Sequence, residues 1–260
     1  MANKSQRRRE KILVLLSQVP ISSTQQLAAA TGVSAETMRK DLDALSEGGQ
    51  IIKVHGGVAL ANTVSAIPFD LRAQKNAELK MKIAGAAAGL VAQGDAILME
   101  SCTTSLELAK VLAQDQNLLQ TLIVFTNSLA IASLFSNGAK CKKLFFLGGW
   151  VNLEEHASQG YQTTEMMRKV HVDKAFLSGA AINNDLVVTG YYDDDVAFQQ
   201  TALKCAGETV LMVDSSKFEN TAVLTVSHLS QMKFLVTDKM LSNELNRHIA
   251  SLNVIYVHAQ

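Results

Sequence analysis

Five short polar strings in this 260-residue sequence follow apolar runs and carry the side chains best suited to binding a small ligand. They are Glu100-Ser-Cys-Thr-Thr104, Thr126-Asn-Ser128, Gly148-Gly149, Ser178-Gly179 and Asp214-Ser-Ser-Lys217. Hydroxyls and free backbone amides at the start of a helix bind anions, and Ser101, Thr103 and Thr104 can supply them. Lys217 adds a movable positive charge that suits a phosphate group.

Residues 34–45 indicate a different chemistry, because their spacing predicts a helix with two contrasting faces. Met38, Leu42 and Leu45 form an apolar stripe for packing. The opposite side carries hydroxyls and long cations, from Ser34, Thr37, Arg39 and Lys40. Such a helix enters the major groove of DNA with its N-terminal turns first, although an ordinary amphipathic surface helix has the same pattern.

The outward residues of this helix have distinct expected roles on DNA. Arg39 and Lys40 are candidates for guanine edges or phosphates. Ser34 and Thr37 are candidates for phosphate or base contacts at the helix N-terminus. A carboxylate is repelled by phosphates, so we expect Asp41 to form a structural ion pair with a nearby basic residue of the protein.

The elements around this helix predict a winged helix-turn-helix. Ile12, Leu15, Leu16 and Val19 give a first helix that stops near Pro20. The capping box Ser23-Thr-Gln-Gln26 opens a short second helix, and Gly32 ends it. Two β-prone runs, 51–55 and 58–60, flank Gly56-Gly57 and predict a hairpin wing. On that wing, Lys53 and His55 are expected backbone contacts to DNA.

The rest of the chain alternates helical spacing with short apolar runs. Seven such runs predict buried strands: Ala96–Met99, Leu122–Phe125, Leu144–Leu147, Ala175–Leu177, Val210–Val213, Phe234–Val236 and Val254–Val257. This alternation predicts a mostly parallel sheet covered by helices on both faces. Ligands of such folds bind beyond the carboxyl ends of the strands, where the five polar strings lie.

Length and charge fit two domains with different partners. We predict a DNA-binding domain at 1–60, a linker at 61–76 and a larger α/β domain at 77–260. Residues 1–60 hold eight Lys or Arg and five acids, a net charge of +3, and the remainder balances this with −3. A polyanion partner is therefore expected for the first domain only. Three separated cysteines indicate neither disulfides nor a metal site, and the absence of a signal peptide or spanning segment favours the cytoplasm.

The string from Arg8, Ile12 and Leu16 to Ser34-Ala-Glu-Thr-Met-Arg-Lys-Asp-Leu42 resembles the N-terminal signature of the DeoR family of bacterial transcription regulators. Lys53-Val-His-Gly-Gly57 resembles the wing of that family, and Phe69-Asp-Leu-Arg72 its connector. The five strand-end strings resemble the family's C-terminal sensor domain, whose fold is similar to ribose-phosphate isomerase and coenzyme A transferase. The resemblance implies an effector such as a phosphorylated sugar, bound by Glu100, Ser101, Cys102, Thr103, Thr104, Thr126, Asn127, Gly148, Gly149, Asp195 and Lys217.

Three features depart from the family's pattern. Cys102 stands where the loop usually has Gly, which predicts a different loop shape because positive φ is easy only for Gly. Glu100 replaces the usual Asp. Gln199 and Gln200 occupy the region where a basic residue commonly follows the acidic cluster in the family. Asp195 is either a ligand for sugar hydroxyls or part of a solvated helix start.

These observations favour a DNA-binding regulator, expected to be a repressor of carbohydrate metabolism that responds to a phosphorylated metabolite. We expect a dimer or tetramer, because symmetric operators need at least two DNA-binding domains. In this interpretation the chain has no catalytic residue, cofactor or metal. The alternative is a sugar-phosphate isomerase or deaminase with an appended DNA-binding domain, in which Glu100, Asp195 or Asp214 acts as the base. A third option is a sensor domain that only assembles the oligomer.

Overall fold

The computed structural model describes residues 4–18, 22–48, 50–54, 57–60, 69–138 and 140–260. The chain forms two compact units, Met1–Pro68 and Phe69–Gln260. None of the helices in the described ranges is both long and apolar enough to cross a membrane.

The smaller unit has the order of elements that the sequence predicts for a winged helix-turn-helix. Its helices are α1 (Lys4–Gln18), α2 (Thr24–Thr31) and α3 (Ala35–Glu47). Strands β1 (Ile51–Val54) and β2 (Gly57–Leu60) pair antiparallel, with Ile51 opposite Leu60 and Val54 opposite Gly57.

Local signals explain the boundaries of these helices. The capping box is formed, since the Ser23 amide donates to Gln26 Oε1 at 2.8 Å and the Gln26 amide donates to Ser23 Oγ at 3.2 Å. Gly32 ends α2 with φ of +71°, a conformation that favours glycine. The apolar stripes of the helices and the wing close one core, composed of Ile12, Leu16, Leu27, Ala28, Met38, Leu42, Leu45, Ile51 and Val58.

The larger unit alternates further helices and strands. Its helices are α4 (Phe69–Gln74), α5 (Ala77–Ala88), α6 (Thr103–Gln114), α7 (Gln116–Leu119), α8 (Leu129–Asn137), α9 (Tyr161–Met167), α10 (Asp193–Cys205) and α11 (Asn243–Ser251). Its strands are β3 (Ala96–Met99), β4 (Ile123–Thr126), β5 (Lys143–Phe146), β6 (Trp150–Asn152), β7 (Ala157–Gln159), β8 (Val172–Leu177), β9 (Ala181–Ile182), β10 (Val187–Gly190), β11 (Ala206–Met212), β12 (Leu224–His228), β13 (Phe234–Thr237) and β14 (Ile255–His258).

Seven of these strands form one parallel sheet in the order β14-β13-β11-β8-β3-β4-β5. They correspond to the seven apolar runs that the sequence predicts as strands. Ile97 and Met99 pack with α5 and α6 on one face, while Leu98 packs with α9 and α10 on the other. The prediction of a parallel sheet with helices on both faces is confirmed.

Two small antiparallel sheets lie outside the sequence prediction. One is the hairpin of β6 and β7, and the other has the order β12-β10-β9. Their strands are two to five residues long, and β7 reads Ala-Ser-Gln, so neither length nor alternation marks them as strands.

Two details differ from the sequence expectations for residues 61–92. Phe69 is buried and α4 clusters with the larger unit, whereas the sequence places residues 69–76 in a linker. Helical spacing predicts Met81 on one face of a helix with Ala84, Ala88 and Val91, but Met81 in α5 is 51% exposed. The buried face of α5 instead carries Lys80, Ile83, Ala84 and Ala87.

Candidate functional site

Helix α3 presents the two faces that its sequence predicts. Met38, Leu42 and Leu45 are at most 3% exposed, whereas Arg39 and Lys40 are exposed. Ser34 caps the helix by accepting a hydrogen bond from the Thr37 amide at 3.2 Å. The Ser34 and Thr37 hydroxyls lie 3.0 Å apart, so both occupy the outward side near the N-terminus.

Asp41 holds α3 against α1. Its carboxylate is buried and accepts from Arg8 Nε at 2.5 Å, from Arg9 Nε at 3.2 Å and from Ser5 Oγ at 3.2 Å. Burial acts to raise the pKa of Asp41, but the hydrogen bonds from Arg8 and Arg9 hold it below its usual value. Asp41 therefore forms the structural pair that the sequence predicts.

The remaining cations predicted to contact DNA are placed in different ways. Lys40 Nζ lies 3.1 Å from Glu36 Oε1, but both side chains are 77% exposed, so the pair leaves Lys40 available to a phosphate. Lys53 belongs to β1, where its backbone pairs with Val58. The Lys53 side chain and His55 lie outside the described residues.

The loop between β3 and α6 carries the hydroxyls from which the sequence predicts an anion site at the N-terminus of α6. Cys102 is the N-cap of α6 and its φ is −145°. This φ is extended backbone, so a cysteine takes the position usually held by glycine without strain, and the expected change of loop shape is not required. Burial and then the charge of Glu100 raise the pKa of the Cys102 thiol to about 11. The thiol is therefore neutral at physiological pH.

Two hydroxyls of this loop make no hydrogen bond to the described part of the protein. Thr103 and Thr104 occupy the first turn of α6 and are 8% and 5% exposed. Across the part of the chain that the structure describes, neither hydroxyl has a protein hydrogen-bond partner. Their hydroxyls and the amides of the first turn are the groups that bind anions at helix N-termini.

Thr126 and Asn127 position this loop rather than extend its binding surface. Thr126 Oγ1 donates to the Met99 carbonyl at 2.7 Å. Asn127 Oδ1 accepts from the Ser101 amide at 2.8 Å, and its Nδ2 donates to the Ser158 carbonyl at 3.0 Å. Both side chains are buried, and these contacts fix the start of α6 relative to β4.

Gly148 and Gly149 allow a close approach of chain segments. Thr163 Oγ1 donates to the Gly148 carbonyl at 2.9 Å. A Cβ at residue 149 would lie 2.2 Å from Thr163 Oγ1 and 2.4 Å from the Gln159 carbonyl oxygen. The absence of a side chain at Gly149 therefore lets the β6–β7 hairpin pack against α9.

Two acids lie beside the loop. Glu100 is buried and accepts from the Ser178 amide at 2.7 Å and from Gln199 Nε2 at 2.6 Å. Burial, reinforced by the charge of Asp195, raises the pKa of Glu100 to about 8. Because Glu100 is mostly protonated at neutral pH, it does not repel an anion bound at the loop.

Asp195 is incorporated into the same network. Its Oδ1 accepts from Gln159 Nε2 at 2.8 Å, so it is more than a solvated carboxylate at the start of α10. Burial, and then the charge of Glu155, raises the pKa of Asp195 to about 6.

Lys217 follows β11 in a short 3₁₀ turn that Asp214 caps. Burial lowers the pKa of Lys217, and the nearby charges of Lys75 and Arg72 lower it further, while Asp214 opposes them. Over the described ranges the Lys217 ammonium makes no ion pair or hydrogen bond. Lys217 lies within electrostatic range of Cys102, which places its charge near the loop.

A second buried cation, Lys80, was missed by the sequence analysis. Lys80 is 6% exposed and donates to the carbonyls of Arg72 and, at 2.7 Å, Lys75. Burial lowers its pKa, the charges of Asp214 and Lys217 act on it in opposite directions, and Cys102 lies within electrostatic range. A lysine at the first position of the stripe 80, 83, 84 and 87 of α5 is the signal that identifies it.

Arg72 completes this group and is held in place by Glu155. Arg72 Nη1 donates to Glu155 Oε1 at 2.7 Å, and Nη2 contacts Oε2. Arg72 also interacts electrostatically with Asp195 and lies within electrostatic range of Cys102. Positive charge is thus concentrated near the loop. We call the four residues that carry it the cationic cluster: Arg72, Lys75, Lys80 and Lys217.

Comparisons with known proteins agree with this division into two parts. Residues 8–64 match the family model described as the DeoR-like helix-turn-helix domain, and residues 75–239 match that of the DeoR C terminal sensor domain. An uncharacterized HTH-type transcriptional regulator of Haemophilus influenzae is 29% identical over 95% of this chain and 94% of its own length. The transcriptional repressor AccR of Agrobacterium fabrum is 29% identical over 91% and 90%. Among solved structures, ribose 5-phosphate isomerase A of Methanocaldococcus jannaschii matches 55% of each chain at 21% identity, with a TM-score of 0.41.

Proposed function

The chain belongs to the DeoR family of DNA-binding transcriptional regulators, and we propose that it represses an operon of carbohydrate metabolism until a phosphorylated sugar-type metabolite binds. The repressor named AccR among its relatives supports the sign of this regulation.

The arrangement around the loop at 100–104 carries the proposal. It combines the unpartnered hydroxyls of Thr103 and Thr104 with the cationic cluster, in which Lys217 makes no ion pair within the described residues although Asp214 lies nearby. Desolvated cations that repel one another are stabilised when an anion binds among them. A phosphate group matches the charge of this site and the hydrogen-bond donors of the helix N-terminus.

The acceptors beside the anion site favour a polyhydroxy ligand. Asp195 lies in the first turn of α10 and Glu100 directly follows β3, and their oxygens can accept hydrogen bonds from hydroxyl groups. A ligand with a phosphate at one end and hydroxyls along its length, such as a sugar or polyol phosphate, fits both parts of the site.

Regulation requires that the metabolite bind one conformation of the repressor more tightly than another. We propose that the chain acts as a dimer or tetramer, in which the outward residues of α3 read two half-sites of an operator. Ser34, Thr37, Arg39 and Lys40 are the proposed contacts from α3, and Lys53 and His55 those from the wing.

A thermal-shift screen tests the effector. Inorganic phosphate, glycerol 3-phosphate and a series of pentose and hexose phosphates are added to the full-length protein. We expect at least one sugar or polyol phosphate to raise the melting temperature and to weaken binding to promoter DNA. If no phosphorylated compound does either, the proposal is wrong.

Replacing Lys217 by Ala is expected to weaken binding of the effector about tenfold or more, because a hydrogen bond between charged groups is lost. Affinity for promoter DNA without effector should stay at the wild-type value. Lys233→Ala is the control, since Lys233 is an exposed lysine of the same domain and the charge change is identical. Full effector response in Lys217→Ala, measured by titration against labelled DNA, would remove Lys217 from the site.

A further inference from the structure

The amide of Gln199 has one atom that the protein leaves unsatisfied. Gln199 lies on α10 and is 6% exposed. Its Nε2 donates to Glu100 Oε1 at 2.6 Å and to the Ser178 carbonyl at 3.1 Å. Within the ranges that the structure describes, its Oε1 has no hydrogen-bond donor.

The orientation of this amide is fixed by its neighbours. The Ser178 carbonyl can only accept a hydrogen bond, so the nitrogen of Gln199 must face it. The oxygen therefore points away from Ser178 and Glu100. A buried acceptor without a donor lowers stability, which makes a bound donor group favourable at this position.

The position of Gln199 connects this oxygen to the effector site. Glu100 opens the loop at 100–104, and Ser178 follows β8, so both partners of Gln199 lie at the carboxyl ends of neighbouring strands. Asp195 precedes Gln199 by one helical turn and shares its face of α10. Gln199 thus lies among the acceptors beside the loop rather than among the cations.

We infer that Gln199 Oε1 accepts a hydrogen bond from a hydroxyl group of the effector, so that Gln199 selects polyhydroxy phosphates over inorganic phosphate. This inference rests on the proposed function and specifies how the second half of the ligand is recognised. With the carboxylate of Asp195 one helical turn away, the position rejects a second anionic group. Phosphorylated sugars and polyols are therefore accepted, and phosphorylated carboxylic acids are not.

Gln199→Lys removes the acceptor, keeps a hydrogen-bond donor and adds one positive charge. The lysine ammonium can keep the donation to Glu100 and to the Ser178 carbonyl, so the fold has the hydrogen bonds that it needs. Gln200→Lys is the matched control, because Gln200 is exposed and its Nε2 donates to the Thr225 carbonyl at 3.1 Å. Both variants add the same charge at adjacent positions of α10, and their melting temperatures without ligand verify folding.

The measured quantity is the ratio of affinities for a sugar phosphate and for inorganic phosphate, obtained by calorimetric titration of the full-length protein. The sugar phosphate is the compound with the largest shift in the series that tests the effector. We expect Gln199→Lys to lower this ratio about three- to tenfold, the effect of one hydrogen bond, and Gln200→Lys to preserve it.

Deoxy analogues give a second measurement that needs no altered protein. The wild type should bind at least one analogue about three- to tenfold more weakly than the parent sugar phosphate, and Gln199→Lys should not discriminate at that hydroxyl. If Gln199→Lys keeps both the ratio and the discrimination, the role of Gln199 is wrong while the effector class stands. If neither inorganic phosphate nor any sugar phosphate binds the wild type, the inference and the proposed function are both wrong.

Discussion

Glu100→Gln is expected to abolish most of the loss of stability that the wild-type sensor domain undergoes as the pH rises from 4.5 to about 8. The carboxyl of Glu100 is buried at the end of β3, and burial raises its pKa from 4.5 to about 8. The folded state therefore holds a proton in this range that the unfolded state has released. Stability contributed by the protonated carboxyl is complete below pH 4.5 and is lost as the pH passes through the folded pKa.

The size of this effect follows from the displacement of the pKa. Because a tenfold difference in proton affinity corresponds to about 1.4 kcal/mol, Glu100 accounts for several kcal/mol over the whole range, on the order of 3–6 kcal/mol. That is a large part of the net stability of a domain. Asp195, whose pKa is raised to about 6, adds to the loss at the lower end of the range. Arg72 acts in the opposite direction on both carboxyls, since its positive charge favours their ionised forms.

Urea unfolding of the full-length protein at several pH values measures this dependence. Trp150 is the single tryptophan of the chain and belongs to β6, so its fluorescence reports the sensor domain alone. In Glu100→Gln the new amide oxygen can accept from Gln199 Nε2, which keeps a hydrogen bond between the two side chains. Glu244→Gln, an exposed glutamate in the first turn of α11, is the control and should retain the wild-type slope. An unchanged slope in Glu100→Gln would contradict the assignment of the proton to this carboxyl.

The residues around Glu100 show which parts of the candidate site can be predicted from local sequence. Buried parallel strands are continuous apolar runs, so each of the seven strands of the large sheet could be predicted without knowing its partners. The carboxyl ends of parallel strands lie at one edge, which brings the loop at 100–104 and Lys217 to a common region. The capping box at Ser23 and the C-terminal glycine at Gly32 are likewise local signals, and the structure contains both.

Contacts between distant segments could not be predicted in this way. Arg72 pairs with Glu155 across 83 residues of sequence, and no periodic pattern links the two positions. Gln199 appears in the sequence only as a departure from a family pattern, because its unsatisfied oxygen depends on where Glu100 and Ser178 lie. Lys80 differs from both, since its place in an apolar stripe is visible in the sequence. A charged residue in an apolar stripe therefore predicts a buried charge, which is a candidate for a functional role.

Arg39→Ala is expected to weaken binding to the operator by about 1–3 kcal/mol and to relax sequence preference at the base that Arg39 contacts. The expected size comes from the bidentate hydrogen bonds that an arginine makes to guanine in the major groove. Arg39 is exposed on the outward face of α3, while Met38 and Leu42 anchor the helix in the core. Asp41 holds α3 to α1 through Arg8 and Arg9, so the orientation of α3 does not depend on Arg39.

Lys40→Ala separates base recognition from phosphate attraction. Lys40 neighbours Arg39 on the exposed face, and its removal changes the charge by the same amount. A lysine that contacts a phosphate should weaken specific and scrambled DNA equally and reduce the salt slope by about one. Anisotropy titrations with promoter fragments beside the gene, at several salt concentrations, distinguish the two variants. If Arg39→Ala weakened operator and scrambled DNA equally, Arg39 would be a phosphate contact, and the bases would have to be read by Ser34, Thr37 or Lys40.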